Sequence, residues 1–245
     1  MKFRWTGLLL MLALGASCST TYQARHAKPS GFLGDYSQLR EGKGQEPLLV
    51  YFNPAADVRA YDRILIDPVA GYVGKGSRLD RLSPQDRQAL LDYFHAALRE
   101  QLGQDYELVD QPGPRTLRLR IAVTDARRTK PVADTLSTVV PVGLAISALE
   151  RVALGKTLTT GSVRVEAEAL DARTGARLAA MVDERVGAKV TGRFDKWSKW
   201  QDARDAFDYW SARMRGTLRD FRERAGEDSR SEPKTGASSV KSDPN

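Results

Sequence analysis

The chain has 245 residues, with 38 basic and 31 acidic side chains, one cysteine and two histidines. This length suits one domain of ordinary size plus trimmings, or two small ones, and a hydrophobic share of 41% excludes both a wholly disordered chain and a polytopic membrane protein. One cysteine excludes an internal disulfide and a cysteine-rich zinc site, two histidines leave little for a histidine-ligated metal centre, and the net charge of +7 suggests anionic partners without naming one.

The N-terminus reads as an address. Lys2 and Arg4 form a positive region, Leu8 to Leu14 a short apolar run, and Gly15, Ala16 and Ser17 a small-residue junction, which is the layout of a bacterial secretory signal. The apolar run falls far short of the roughly 20 residues that span a bilayer. The only cysteine follows at once: Leu14-Gly15-Ala16-Ser17-Cys18 resembles a bacterial lipobox, with Gly15 where leucine is usual. The resemblance implies that residues 1–17 are removed and that Cys18 carries a covalent diacylglycerol and an N-acyl chain, with no other cofactor. The alternative is ordinary cleavage near Gly15 or Ser17, leaving a free exported thiol. Acyl chains contribute about 0.8 kcal/mol per buried methylene, so two or three of them anchor stably. By resemblance to the lipoprotein sorting rule, Ser19 after the cysteine implies delivery to the outer membrane, on its periplasmic side. Loss of Lys2 and Arg4 with the signal lowers the net charge from +7 to +5.

Residues 18–30 read as a polar, lipidated tether, and 31–224 as one domain. Tyr61 to Val69 predicts a buried strand stopped by Pro68. Ser83-Pro84-Gln85-Asp86 supplies an N-cap, a proline at the first helical position and an acid in the first turn. Leu90, Leu91, Phe94, Ala97, Leu98 and Leu102 then recur at helical spacing up to Gly103. Tyr106 to Val109 is a short strand, and Gln111 to Pro114 a turn. Leu117, Leu119, Ile121 and Val123 alternate with Arg118, Arg120 and Ala122; Val163, Val165, Ala167 and Ala169 alternate with Arg164, Glu166 and Glu168. Both read as half-buried strands. Asp171 to Gly175 closes a hairpin onto 176–186, and Arg118 and Arg120 are expected to face Glu166 and Glu168, at about 0.2–1 kcal/mol per pair.

The last helix is marked by Trp200, Ala203, Phe207, Trp210, Met214, Leu218 and Phe221 at spacings of three and four, after the capping-box form Ser198-Lys199-Trp200-Gln201. Acids lead its first half and arginines its second, as the helix dipole favours. Residues 225–245 contain one valine and nothing larger that is apolar, so they read as a disordered tail. The order of elements predicts an α+β fold: a mainly antiparallel sheet with helices packed on one face, in a single domain.

Ser30-Gly31-Phe32-Leu33-Gly34-Asp35-Tyr36-Ser37-Gln38-Leu39, and Tyr51-Phe52-Asn53-Pro54 leading to Tyr61-Asp62-Arg63-Ile64-Leu65-Ile66-Asp67-Pro68-Val69, resemble the lipoproteins of the domain of unknown function 3313 over roughly residues 30–222. The resemblance implies an envelope lipoprotein of Gram-negative bacteria and brings no activity or catalytic residue with it. Leu170 to Gly175 also resembles hairpins of lipoproteins that help assemble secretion channels, an architectural likeness only.

Two segments stand out as candidate contact sites. Arg115, Arg118, Arg120, Arg127, Arg128 and Lys130 crowd into 16 residues with one acid, a possible face for lipopolysaccharide phosphates or anionic headgroups at about 1 kcal/mol per cation; a solvated strand face is the plainer reading. Residues 132–154 are the most apolar stretch after the signal, and Leu136, Val139, Val140, Val142, Leu144, Ile146 and Leu149 offer a contact with lipid, a partner or a second copy. The plainer reading there is a core helix after Pro141. Trp200, Phe207 and Trp210 read as core, whereas Trp197 and Tyr209 lie off that stripe and are surface candidates for stacking on a sugar. His95 reads as a core-edge residue, since no positioned nucleophile accompanies it. Gly74 to Ser77 reads as a flexible turn, and Gly155-Lys156-Thr157 lacks the earlier glycine of a phosphate loop. Nucleic acid is excluded as a partner by export. The expectation is a non-catalytic lipoprotein facing the periplasm from the outer membrane, serving envelope assembly or maintenance through an envelope partner, self-association or lipid; the alternative is a subunit of an oligomeric secretion or polysaccharide-export assembly.

Overall fold

The computed structural model describes residues 21–26, 28–127, 161–187 and 200–231. The signal peptide, Cys18, Arg128, Lys130, the apolar stretch 132–154, Trp197 and Ser198 lie outside the described residues. Three long antiparallel strands form the centre: β7 (Thr116–Arg127), β8 (Ser162–Asp171) and β9 (Arg177–Gly187). The β8–β9 hairpin closes as expected. Asp171 Oδ1 accepts the Arg173 and Thr174 amides at 3.0 and 2.7 Å, and Gly175 takes the left-handed φ of 73° that ends the turn.

Short strands line both edges. β1 (Thr21–Gln23) and β3 (Leu49–Phe52) pair with β9 one above the other, and β2 (Arg40–Glu41) adds to β3. On the far side β4 (Arg63–Ile66) and β5 (Ala70–Gly71) pair with β7, and β6 (Glu107–Val109) pairs with β4. The sheet is thus mixed but mostly antiparallel. The three parallel pairings (β4–β7, β4–β6 and β5–β7) form one corner. They follow from connectivity: helix α1 (Pro84–Leu102) lies between β5 and β6, and parallel neighbours need such a crossover.

α1 begins where the sequence places it, with Ser83 Oγ accepting the Asp86 amide at 3.1 Å. Gly103 caps its end in the right-handed region, with φ −65°. A β-carbon there would stand 2.8 Å from the Arg99 carbonyl oxygen, so close approach rather than a left-handed turn selects glycine. Helix α2 (Gln201–Ser231) lies beside α1 and runs in the same direction, Phe94 meeting Phe207 and Asp105 meeting Arg215 further along. Both helices pack on one face of the sheet. There Leu117, Leu119, Ile121, Val123, Val163, Val165 and Ala167 meet Leu90, Phe94, Leu98, Ala203, Phe207 and Trp210 in one core.

Two boundaries differ from expectation. α2 continues to Ser231, seven residues into the segment read as a disordered tail. A helix already nucleated gains one backbone bond per added residue, so it extends through 225–231 without needing apolar residues in the sequence there. The expected tether is also shortened, because Thr21 to Gln23 are a strand of the sheet.

The Phe94 and Phe207 rings stack 4.4 Å apart at 10°, and both are fully buried. Replacing either by alanine leaves a cavity between helices and sheet. Urea denaturation should show a loss of about 3–5 kcal/mol for Phe94→Ala or Phe207→Ala, with unchanged m-value.

Candidate functional site: the end of the sheet carrying Thr21

Chain direction defines one end of the sheet. Thr21 pairs with Gly187, Val186 with Ser162, and Ser162 with Arg127, so the first residue of β1 and the last residues of β7 and β9 share that end. β1 is held there by a buried arginine. Arg185 Nε donates to Thr21 Oγ1 at 2.8 Å and a terminal nitrogen donates to the Thr21 carbonyl. The guanidinium lies 3.6 Å over the Tyr209 ring. Burial lowers the pKa of Arg185, with the Tyr209 ring and Asp183 acting in the opposite sense. Below it, Gln23 Nε2 donates to Asp183 Oδ1 and to the Glu46 carbonyl, each at 2.8 Å, while Trp210 Nε1 donates to Asp183 Oδ2 at 2.8 Å. Thr21 is only 3% exposed. Tyr209 is therefore half-buried under Arg185 and not a free stacking surface: its position beside the core stripe of α2 brings it under β9.

The sheet face away from the helices carries charge, and the first familiar motif seals it. Glu166 is fully buried and accepts the Ser30 amide at 2.6 Å and the Tyr36 hydroxyl. The Tyr36 oxygen in turn accepts the amides of Gly31 and Leu33 at 2.8 and 3.2 Å. Gly31 and Gly34 hold left-handed φ values of 105° and 71°, which is why glycine recurs in this tight loop. Glu168 takes Arg177 Nε at 2.9 Å and an ion pair from Arg120, whose guanidinium sits 5.3 Å over the Phe32 ring. Arg177 reaches further, donating to the Leu33 and Asp35 carbonyls at 2.8 Å. Leu33 packs with Ala180 and Val182 in a small core of its own. The motif residues are thus structural partners of buried carboxylates. The second motif is also structural: Asn53 Oδ1 accepts the Ala55 amide at 2.9 Å, and the Tyr61 hydroxyl donates to Asp171 of the hairpin turn at 2.9 Å.

The basic run is not one face. Arg115 pairs with Asp62 at 2.9 Å, Arg118 with Asp67 at 2.8 Å, and Arg120 with Glu168. Only the last matches the expected cross-strand pairs, because the register sets Arg118 opposite Leu170 and Glu166 opposite Ala122. Arg127 is exposed at the strand end. The one acid of the run, Asp125, is buried and grips Arg78, whose backbone amide it also accepts at 2.8 Å.

Two cavities lie elsewhere. One of about 440 Å³ is lined by Asp67, Pro68, His95, Arg99, Asp110 and Arg118. His95 is half-buried there, its Nδ1 without a hydrogen-bond partner among the described residues. Burial and then Arg99 hold its pKa below the ordinary imidazole value. The other, about 360 Å³, lies beneath α2 between Trp210, Met214, Phe221 and β9. Among the described residues no group of three or more His, Cys, Asp or Glu could hold a metal ion, and no helix is long and apolar enough to cross a membrane.

A family model described as a protein of unknown function, DUF3313, matches residues 28–214. The chain is 30% identical over 180 residues to the uncharacterized lipoprotein YdcL of Escherichia coli, covering 72% of this chain and 78% of that one. Among solved structures it is similar to the PelC dodecamer of Paraburkholderia phytofirmans, at 15% identity and a TM-score of 0.38 over 69% of this chain and 94% of that one. It is also similar to a putative neuraminyllactose-binding hemagglutinin homolog of Helicobacter pylori, at 12% identity and a TM-score of 0.39 over 80% and 99%.

Two outcomes test this geometry. Arg185→Met should speed amide exchange in residues 21–24 roughly tenfold or more, with Val163 and Val165 in β8 unchanged, as read by hydrogen-exchange mass spectrometry. Burial pushes the Asp125 carboxyl up, but the Arg78 side chain and amide outweigh it and hold the pKa below the ordinary carboxylate value. That stabilisation is present above the unfolded value of about 3.9 and fades as pH falls through it toward the lower folded value. Asp125→Asn should therefore flatten the fall in urea midpoint on acidification below about pH 4 relative to the parent protein.

Proposed function

The chain belongs to the DUF3313 family of proteins of unknown function, and on that premise we propose that it is a lipid-anchored, non-catalytic protein of the outer membrane's periplasmic face, acting in envelope assembly or maintenance through protein or lipid contacts. The relative of known type is named a lipoprotein, which supports an acyl anchor on Cys18. Ser19 supports outer-membrane delivery by the sorting rule.

The observation that carries the reading is the start of the fold. The first described strand begins three residues after Cys18, and its leading residue, Thr21, is buried against β9 and bonded by Arg185. A domain that merely trailed behind an anchor would have no use for a strand at that position. This domain is built onto its point of attachment. The use of its charged groups supports a non-catalytic role: Glu166, Glu168 and Asp183 each serve two or more neighbours as buried acceptors, and Asp125 takes both the backbone amide and the guanidinium of Arg78.

Fractionation of the native envelope tests the proposal. The parent protein should incorporate labelled palmitate and sediment with outer membrane in a sucrose gradient. Cys18→Ala should lose the label and appear in the soluble periplasmic fraction. Unchanged membrane sedimentation of Cys18→Ala refutes the lipid anchor, and a labelled parent protein in the inner-membrane fraction refutes the location.

A further inference from the structure

Resting on the proposed anchor at Cys18, we infer that the end of the sheet carrying Thr21 is seated directly on the phospholipid surface, with Tyr22, Val73, Lys75 and Arg127 as its contact residues.

Reach comes first. Three peptide steps separate Cys18 from Thr21, and no conformation of them spans more than about 11 Å. Thr21 itself cannot peel away cheaply, since it is buried and bonded by Arg185 through both side chain and carbonyl. β9 runs from Arg177 at the far end to Gly187 beside Thr21, which is about 33 Å at the usual rise per residue. A leash of a third of that length cannot let the domain turn over. The Gly187 end must face the bilayer and the 171–175 turn must point away from it.

The chemistry of the surface is the second, independent observation. Among the described residues, the large apolar side chains with substantial exposure are Tyr22 at 51%, Val73 at 49% and Tyr72 at 36%. Tyr22 falls at this end and Val73 lies toward it, whereas the Tyr72 ring turns back onto the sheet face and packs edge-to-face on Phe32 at 5.8 Å. Tyr22 pairs with Val186, level with Ser162 and Arg127. Tyr72 donates its amide to the Val123 carbonyl, and the chain then turns through Gly76 before Arg78 reaches Asp125. Lys75 in that turn and Arg127 at the end of β7 are both exposed. Four strand spacings separate β1 from β5, about 19 Å, so the apolar groups flank the end of the sheet as two footholds rather than one patch. Tyrosines with an apolar body and a polar tip, beside lysine and arginine, are what the headgroup region favours.

The lipidated protein contains no free thiol, because the Cys18 sulfur is consumed in the thioether. Val73→Cys and Arg173→Cys therefore each offer one labelling site, at the seated end and on the 171–175 turn. Full-length lipidated variants, labelled with an environment-sensitive fluorophore, are reconstituted into phosphatidylethanolamine–phosphatidylglycerol vesicles containing a headgroup-region quencher lipid. Quenching should be several-fold stronger at position 73 than at 173, and Tyr22→Cys should follow position 73. Matching thermal melts confirm that each variant is folded. Equal quenching at 73 and 173, or stronger quenching at 173, overturns the seating while vesicle flotation leaves the anchor standing. A chain without acyl mass that fails to float with the vesicles overturns the anchor and the seating together.

Discussion

A carboxylate taken out of water must find donors, and β8 takes two: Glu166 and Glu168 lie on the sheet face away from the helices, buried to 0% and 4% exposure. The cost of stripping an ion of water is several kcal/mol unless charge-assisted hydrogen bonds replace the shell. Two segments supply them. Arg120 and Arg177 come from the flanking strands to Glu168, and Ser30 and Tyr36 come from the N-terminal chain to Glu166. That demand explains the path of residues 28–39. They cross the sheet not to extend it but to seal a polar face that would otherwise be wet.

Once the N-terminal chain is committed to that face, its preceding residues have little choice. They arrive along the outer edge of β9, where β3 covers only Ala179 to Val182 and the upper half is open for pairing. β1 fills it, and Arg185 locks it with bonds to Thr21 while Tyr209 of α2 supplies the ring beneath. Breaking one partner of such a buried charge leaves the other uncompensated, which is far more destabilising than an exposed pair such as Arg115–Asp62. The apolar face follows a different logic. Stacked Phe94 and Phe207 join the two helices over alternating Leu, Ile and Val of β7 and β8, and there shape and area decide rather than charge.

Among the described residues the two ends of the sheet differ in chemistry. One end holds turns closed by their own side chains, as Asp171 does. The other holds the start of β1 with the exposed Tyr22, and Val73 lies toward it. The run from Arg115 to Lys130 does not display its arginines as one free face: those at 115, 118 and 120 are committed to Asp62, Asp67 and Glu168.

Features governed by neighbours along the chain were legible from the residues alone. The Ser83 cap, the proline after it, the stripe of Trp200, Phe207 and Trp210, and the Asp171–Gly175 turn each depend on contacts within a few positions, so their chemistry is written locally. β1, β2, β3 and β5 were not legible, since two to four residues cannot show a period and their reason for being strands lies in the edge they meet. Nor was the pairing of Arg118 with Asp67 or of Tyr36 with Glu166, which depends on register and on which chain crosses which face. The residues alone determined the helices, the hairpin, the polar and apolar faces and the likeness to lipoproteins. Tertiary structure alone decided that the tether is a strand and the familiar motif a seal, because both are set by burial of charge between segments more than 100 residues apart.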